Sequence, residues 1–162
     1  MDSKEHLPVT NTLTHSWGNN MTRKPEDEWL MEMAWKVSER SRDPDTQVGA
    51  IIVKDNNIIA VGFNGTPYGY DNECKHSCGT TKREVVHAEM NAIIKAARGN
   101  GGTEGATMYT TLRPCIECAK AIVQAGITRV VWEHTHKCDK GAMLLLHYKN
   151  QIELATVKTQ EN

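Results

Sequence analysis

The sequence predicts an α/β protein in which helices pack on a mixed sheet. Two observations support this prediction: a hairpin of two β-branched segments near residue 55, and an alternation of helix-like and strand-like segments after residue 84. A hairpin supplies antiparallel strands, whereas strand–helix–strand units supply parallel strands. The combination of the two therefore gives a mixed sheet.

The chain has 162 residues, the size of one ordinary domain. Residues 1–22 show no periodicity, and we expect a loose arm there, followed by a single domain over 23–162. A helix is predicted over 25–40, because Pro25 suits a first helical position and three acidic residues follow it where the helix dipole favours them. The apolar residues that follow recur at helical spacing.

The hairpin is predicted to pair residues 48–53 with 58–63 around a turn at 55–57. A polar loop then runs to about residue 83. Beyond it, the pattern predicts helix, strand, helix, strand and helix in that order, over 84–98, 106–112, 114–124, 127–133 and 140–150.

Composition and charge argue against several classes of function. Nineteen basic and twenty acidic residues leave a net charge of −1, so there is no general basic field for nucleic acid, and we expect no such partner. No run of about 18 apolar residues predicts a membrane span, and the polar N-terminus lacks the apolar core of a secretory signal. Five cysteines, an odd number with one CxxC pair, favour a reducing compartment, so we expect a cytoplasmic protein.

A metal site is predicted from two segments that lie almost thirty residues apart. Cys115 and Cys118 are three apart at the start of a predicted helix, which puts both sulfurs on one face. The positive end of the helix dipole favours thiolates, the form that binds zinc. His87, predicted in the first turn of the preceding helix, completes a His/Cys/Cys set. Three protein ligands leave one coordination position open, as in catalytic zinc sites.

Glu89 lies two residues after His87 and is predicted to approach the metal without ligating it. A carboxylate beside a zinc site can accept a proton from water and deliver it to a substrate. The pairing of H-x-E with P-C-x-x-C is the signature of zinc deaminases that act on nucleobases.

Two other interpretations of the cysteine and histidine pattern stay open. The CxxC pair alone also suits a redox dithiol or half of a structural zinc site. The whole set could also stabilise a non-catalytic zinc module that binds nucleotides.

At this point the chain resembles the cytidine and deoxycytidylate (dCMP) deaminase superfamily, and most of all its dCMP branch, over about residues 25–148. "HAEMNAI" at 87–93 and "PCIECAK" at 114–120 carry the resemblance to the superfamily, and "RSRDPDTQVGA" at 40–50 and "GFNGTP" at 62–67 that to the dCMP branch. The organisation also resembles that of phage enzymes. The resemblance implies a three-layer cytidine deaminase-like fold, with a mixed central sheet of about five strands and helices on both faces.

The implied reaction is the zinc-dependent hydrolysis of dCMP to dUMP and ammonia, which supplies dUMP for thymidylate synthesis. The resemblance implies that Glu89 moves the protons and that Asn64 bonds the sugar hydroxyl, although Asn-Gly is also a common turn pair. Arg42 is a candidate for the phosphate. His136 is a candidate for the place of a tyrosine found near the substrate in many dCMP deaminases. Another cytosine nucleotide or nucleoside, such as dCTP or cytidine, is the alternative substrate.

The resemblance also suggests partners and further ions. Cys74, His76 and Cys78 could hold a second, structural zinc, as in some relatives, or could belong to a flexible loop with free thiols. Several dCMP deaminases are homohexamers activated by dCTP and inhibited by dTTP, with Mg²⁺ on the triphosphate. "GFNGTP" matches the segment associated with that control, so we expect a homo-oligomer, most simply a homohexamer, with nucleotide effectors.

Overall fold

The computed structural model describes residues 24–99, 102–135 and 139–159. The predicted loose arm at 1–22 lies outside these residues. Four helices and five strands form in the described part of the chain, in the order α1 Glu26–Ser38, β1 Gly49–Lys54, β2 Asn57–Phe63, α2 Ala88–Arg98, β3 Thr107–Leu112, α3 Ile116–Gln124, β4 Arg129–His134, α4 Lys140–His147 and β5 Glu153–Thr156.

The strands form one mixed sheet in the order β2-β1-β3-β4-β5. β1 is antiparallel to both of its neighbours, whereas β3, β4 and β5 are parallel to one another. The predicted mixed sheet of about five strands is therefore confirmed. α3 connects β3 to the parallel strand β4. Part of the site described below lies where the chain passes from the end of β3 into α3.

Alternate residues of each central strand face opposite layers of helices, as the two-residue period of a strand requires. One face buries Ala50, Ile52, Met108 and Val130 among side chains of α2, α3 and α4. The other face buries Ile51, Tyr109 and Val131 against Leu30, Met31 and Ala34 of α1. The three-layer arrangement with helices on both faces is thus confirmed.

An ion pair ties α1 to the sheet. The Arg129 guanidinium donates from Nη1 and Nη2 to the two carboxylate oxygens of Asp27, each at 2.8 Å. The Tyr109 hydroxyl donates to Asp27 Oδ1 at 2.7 Å. Asp27 lies at the start of α1, so this network fixes where that helix begins on the sheet.

Local structure differs from the prediction at two places. The hairpin turn is formed by two residues, Asp55 and Asn56, both with positive φ, as a type I′ turn requires, and Asn57 already pairs in β2. The second helix begins at Ala88 rather than at residue 84. The segment before it is extended, because Val86 exchanges two backbone hydrogen bonds with Gly65.

Among the described residues, none of the helices has the length and apolar character needed to cross a lipid bilayer.

Candidate active site

His87 and Glu89 are placed by the start of α2. His87 is the N-cap residue, with extended backbone (φ −68°, ψ 154°), and Glu89 is the second residue of the helix. The helix lies very close to β2 at this point, because Gly62 contributes no side chain between them. His87 was predicted in the first turn of a longer helix, and it lies instead immediately before the first turn.

Cys115 and Cys118 are placed by the start of α3. Cys115 is the N-cap residue, also with extended backbone, and Cys118 follows in the first turn. α4 packs tightly on this segment at Gly141. A Cβ atom on this glycine would lie only 2.1 Å from the Pro114 carbonyl oxygen. The segment between β3 and α3 is therefore held between the sheet and α4.

The structure brings the imidazole and the two thiols together. His87 Nδ1 lies 3.4 Å from Cys115 Sγ and 3.5 Å from Cys118 Sγ. All three donor atoms lie within 4.8 Å of one another, and no other group of three such side chains in the described residues meets this distance. Tetrahedral zinc with ordinary Zn–N and Zn–S bonds places its nitrogen and sulfur ligands roughly 3.6 Å apart. The donor set and its spacing therefore fit a zinc ion.

The charges of the two thiols depend on each other. The contact with Cys118 and the neighbouring His87 lower the pKa of the Cys115 thiol to about 3. The same contact, together with burial, raises the pKa of Cys118. Cys115 in turn raises the pKa of His87. These shifts favour the thiolate form of Cys115, at the point where the three donor atoms converge.

Glu89 lies beside the cluster but is not part of it. Its side chain is buried, with 4% of the residue exposed, and Cys118 Sγ donates to Glu89 Oε2 at 3.5 Å. Burial raises the pKa of this carboxyl. A carboxyl whose pKa is shifted towards neutrality can both accept and release a proton, which is what general acid–base chemistry needs.

A cavity of about 190 Å³ opens beside these groups, and His87, Glu89 and Cys115 line it. The other lining residues come from the loops and strand ends around it: Asp43, Thr46, Val48, Asn64, Thr81, Val85, Ala88, Leu112 and Arg113. The volume is below the roughly 300–1,000 Å³ of pockets that take drug-sized ligands. It suits a single aromatic ring, with the rest of a larger ligand lying at the mouth.

Asn64 lines this cavity, but its amide is engaged by the backbone. Oδ1 accepts a hydrogen bond from the Val48 N–H at 2.8 Å, and Nδ2 donates to the Thr46 carbonyl at 2.9 Å. These bonds tie the end of β2 to the segment before β1. The structure thus gives Asn64 a clear structural part, and its predicted contact with the sugar stays a prediction.

Arg42 lies in a different place from the other candidates. It is exposed and lines a neighbouring cavity of about 400 Å³, which shares Asn64 with the first. Arg42 is not among the residues that line the Glu89 cavity. His136, the third predicted substrate-binding residue, lies outside the described residues.

The loop that carries Cys74, His76 and Cys78 is not folded around a common centre. Cys74 is buried, whereas Cys78 is exposed and its sulfur lies 3.1 Å from Thr80 Oγ1. Their donor atoms do not form a group of the kind seen at His87, Cys115 and Cys118. The structure therefore does not bring these three residues together.

Asp43 and Arg113 line the cavity without having been singled out from the sequence. Asp43 is almost completely buried, and its Oδ1 accepts from the backbone N–H groups of Asp45 and Thr46. Asp43 lies in the "RSRDPDTQVGA" segment, which was used only for the family resemblance. Arg113 directly precedes the "PCIECAK" segment, where the thiols alone were considered.

Comparison with known proteins agrees with this geometry. Residues 24–134 match the family described as the cytidine and deoxycytidylate deaminase zinc-binding region. The chain is 36% identical to deoxycytidylate deaminase of Enterobacteria phage T4, over 68% of this chain and 79% of that protein. It is 40% identical to deoxycytidylate deaminase of Pongo abelii, over 65% of this chain and 62% of that protein, so it spans less than two thirds of that relative.

A solved structure shares the fold. The crystal structure of dCMP deaminase from the cyanophage S-TIM5, in complex with dCMP and dUMP, superimposes with a TM-score of 0.78 and 35% identity. The similarity covers 84% of this chain and the whole of that chain. Since the family match extends over more than half of the sequence and includes His87, Glu89, Cys115 and Cys118, this chain belongs to the cytidine and deoxycytidylate deaminase family.

Proposed function

We propose that this protein is a zinc-dependent hydrolase that converts dCMP to dUMP and ammonia. The observation that carries the proposal is the position of Glu89, a buried carboxyl that contacts Cys118 beside three converging donor atoms. A structural zinc site would need no such acid next to it. The choice of dCMP is supported by the relatives of phage T4 and of cyanophage S-TIM5, which are named for that substrate.

His87, Cys115 and Cys118 would hold one zinc ion per chain through Nδ1 and two sulfurs. When bound, zinc supplies the Lewis acidity that lets water act as a nucleophile near neutral pH. His87 must then be neutral and both cysteines deprotonated. The low pKa of Cys115 already favours the charged form of one sulfur.

Glu89 would carry the protons. Its carboxylate accepts one proton from water and passes it to N3 of cytosine, where it stays in the uracil product, and protonation at N3 makes C4 electrophilic. After the water oxygen has added to C4, Glu89 transfers the remaining O–H proton to the amine, which leaves as ammonia. Two protons pass through one carboxyl, so its raised pKa is suited to both transfers.

The cavity would hold the base and leave the sugar and phosphate near its mouth, since its volume of about 190 Å³ is too small for a whole nucleotide. Within this arrangement, we assign Asn64 to the sugar side, because it lines the cavity at the end of β2.

Regulation is a further part of the proposal. Four residues of the "GFNGTP" segment, 63–66, line the neighbouring cavity together with Arg40 and Arg42. Two arginines suit a triphosphate better than a monophosphate. Here, dCTP would activate and dTTP would inhibit, each with Mg²⁺, in a homohexamer. Activity titrated with either nucleotide tests this, because flat responses contradict it, and sedimentation of the protein gives its oligomeric state.

One experiment tests the main proposal against the alternatives. Zinc per chain is measured, and ammonia release is then assayed with dCMP, dCTP, deoxycytidine and cytidine, with and without a chelator. We expect one zinc per chain and fastest turnover of dCMP, lost on chelation. Zinc without any deamination would indicate a non-catalytic module, and a Cys115–Cys118 disulfide without zinc would indicate a redox protein.

A further inference from the structure

Arg113 is placed differently from other surface arginines of this chain. Its side chain is only 14% exposed, and the residue lines the same cavity as His87, Glu89 and Cys115. Among the described residues that line this cavity, Arg113 is the one arginine or lysine. An arginine is therefore present beside the candidate active site, in addition to the residues that would bind zinc.

The position of Arg113 is fixed from three directions. Its backbone N–H donates to the His134 carbonyl at the end of β4, at 2.8 Å. Its Nη2 forms an ion pair with Asp139, which directly precedes α4. Gly141 packs against the backbone of Pro114 and Cys115, the next two residues. The guanidinium is thus pre-organised rather than free to move through many rotamers, which lowers the entropy cost of binding a ligand.

Three carboxyl groups lie near Arg113 or line its cavity, and Arg113 is paired with one of them, Asp139. Asp43 and Glu89 are the acidic lining residues. Asp43 is compensated, because its Oδ1 accepts two backbone N–H groups and lies 3.4 Å from Lys75 Nζ. A guanidinium has five N–H donors in a fork, so it can hold Asp139 and bind a phosphate oxygen at the same time.

We infer that Arg113 binds the 5′-phosphate of the substrate and so makes this enzyme select a nucleoside monophosphate over a nucleoside. This inference rests on the proposed function, because it names which part of the chain recognises the phosphate of dCMP. It assigns to Arg113, rather than to Arg42, the cation that a monophosphate requires. Arg113 is in this sense a specificity-determining residue, and Asp139 positions it.

The test compares binding of the product with binding of the same product without its phosphate. Zinc-loaded wild type and Arg113→Gln are titrated calorimetrically with dUMP and with deoxyuridine. Loss of a charge-assisted hydrogen-bonded pair is expected to weaken dUMP about 10- to 150-fold. Deoxyuridine affinity should stay within about twofold, and kcat/KM for dCMP should fall in parallel with dUMP affinity. Arg113→Lys keeps the charge without the fork, and we expect a smaller loss that is still selective for dUMP.

Arg98→Gln is the matched control, because Arg98 is an exposed arginine in the last turn of α2, and it should bind both ligands as wild type does. Zinc content and circular dichroism check that each variant is folded. If Arg113→Gln does not fold, the comparison of dUMP with deoxyuridine is made with Arg113→Lys instead. Equal weakening of dUMP and deoxyuridine would mean a structural role and would overturn the inference. Unchanged dUMP affinity would overturn it too, as would a selective loss in Arg42→Gln alone.

The two proposals fail in different ways. If wild type deaminates dCMP and the Arg113 variants do so equally well, the inference is wrong and the proposed function stands. If wild type deaminates no cytosine nucleotide or nucleoside, the proposed function is wrong, and the role of Arg113 is wrong with it.

Discussion

Gly62 lies so close to Ala88 that a Cβ atom on the glycine would be 2.1 Å from the Ala88 carbonyl oxygen and 2.5 Å from the Ala92 backbone nitrogen. Both obstructing atoms belong to the backbone of α2, so neither can rotate away as a side chain would. The start of α2, which carries His87 and Glu89, therefore depends on a residue without a side chain in β2.

We expect Gly62→Ala to push α2 away from β2 and disturb the site. Overpacking of this kind costs about 1–3 kcal/mol of the free energy of unfolding, and zinc affinity should fall with it. Urea unfolding and zinc content per chain measure both effects. Gly65→Ala is the matched control for stability, since nothing lies within 4 Å of a Cβ there. Wild-type stability in Gly62→Ala would show that the helix can shift at little cost.

Glu89→Gln should abolish turnover while zinc stays bound. The amide keeps the shape of the side chain but cannot shuttle protons, so kcat for dCMP should fall by about 10²–10⁴-fold. Metal analysis and ammonia release give the two readouts. The control is Glu117→Gln, an exposed acid in the first turn of α3, whose activity should match that of wild type. Residual activity near the wild-type level in Glu89→Gln would exclude Glu89 as the proton carrier.

Cys115→Ser should remove the zinc, because a serine hydroxyl is a poor substitute for a thiolate ligand. We expect one zinc per chain in wild type, none in Cys115→Ser and one in Cys78→Ser. Since bound metal adds to folding free energy, Cys115→Ser and chelated wild type should also melt at a lower temperature than zinc-loaded wild type. Two zinc ions per wild-type chain, with one lost in Cys78→Ser, would indicate a second site at the 74–78 loop.

The ion pair of Asp27 with Arg129 should make stability fall at low pH. Hydrogen bonds from Arg129 lower the pKa of Asp27 below its ordinary value. The contribution is therefore present above the unfolded pKa of about 3.9 and is lost as the pH falls through the lower folded pKa. Asp27 keeps 35% of its side chain exposed, so solvent screening limits the effect to about 1 kcal/mol.

Asp27→Asn is the variant that tests this. It should be less stable than wild type at pH 7, and the difference in urea midpoint should shrink as the pH is lowered below about 4. Comparing two proteins at each pH removes the common effect of zinc loss. A difference that stays constant with pH would show that Asp27 acts through its shape rather than its charge.

The parts of the fold that local sequence determines were predictable. The hairpin was predicted because β-branched residues flank Asp55 and Asn56, and the helices were predicted because their apolar residues recur at helical spacing. The predicted start of α2 was wrong because the true start depends on the pairing of Val86 with Gly65, which lies 21 residues earlier. β5 was not located, since its four residues gain their strand character from β4.

The residues of the candidate site also differ in whether the sequence alone could predict them. The H-x-E and P-C-x-x-C spacings are local patterns, so His87, Glu89, Cys115 and Cys118 could be proposed from the sequence. Asp43 and Arg113 could not, because their positions depend on contacts with Lys75 and Asp139, which belong to other loops. Arg42 was chosen as a cation close to a recognisable motif, and the fold directs it to the neighbouring cavity.

His87 and Cys115 both occupy helix N-cap positions, and neither side chain forms a capping hydrogen bond. Most helices place serine, threonine or aspartate there, and loss of such a residue costs about 1 kcal/mol. Under the proposed function, two helices begin with zinc ligands in place of caps, and bound zinc would order the first turns of both. Chelation should accordingly increase amide hydrogen exchange first at residues 88–90 and 116–118, before the sheet opens.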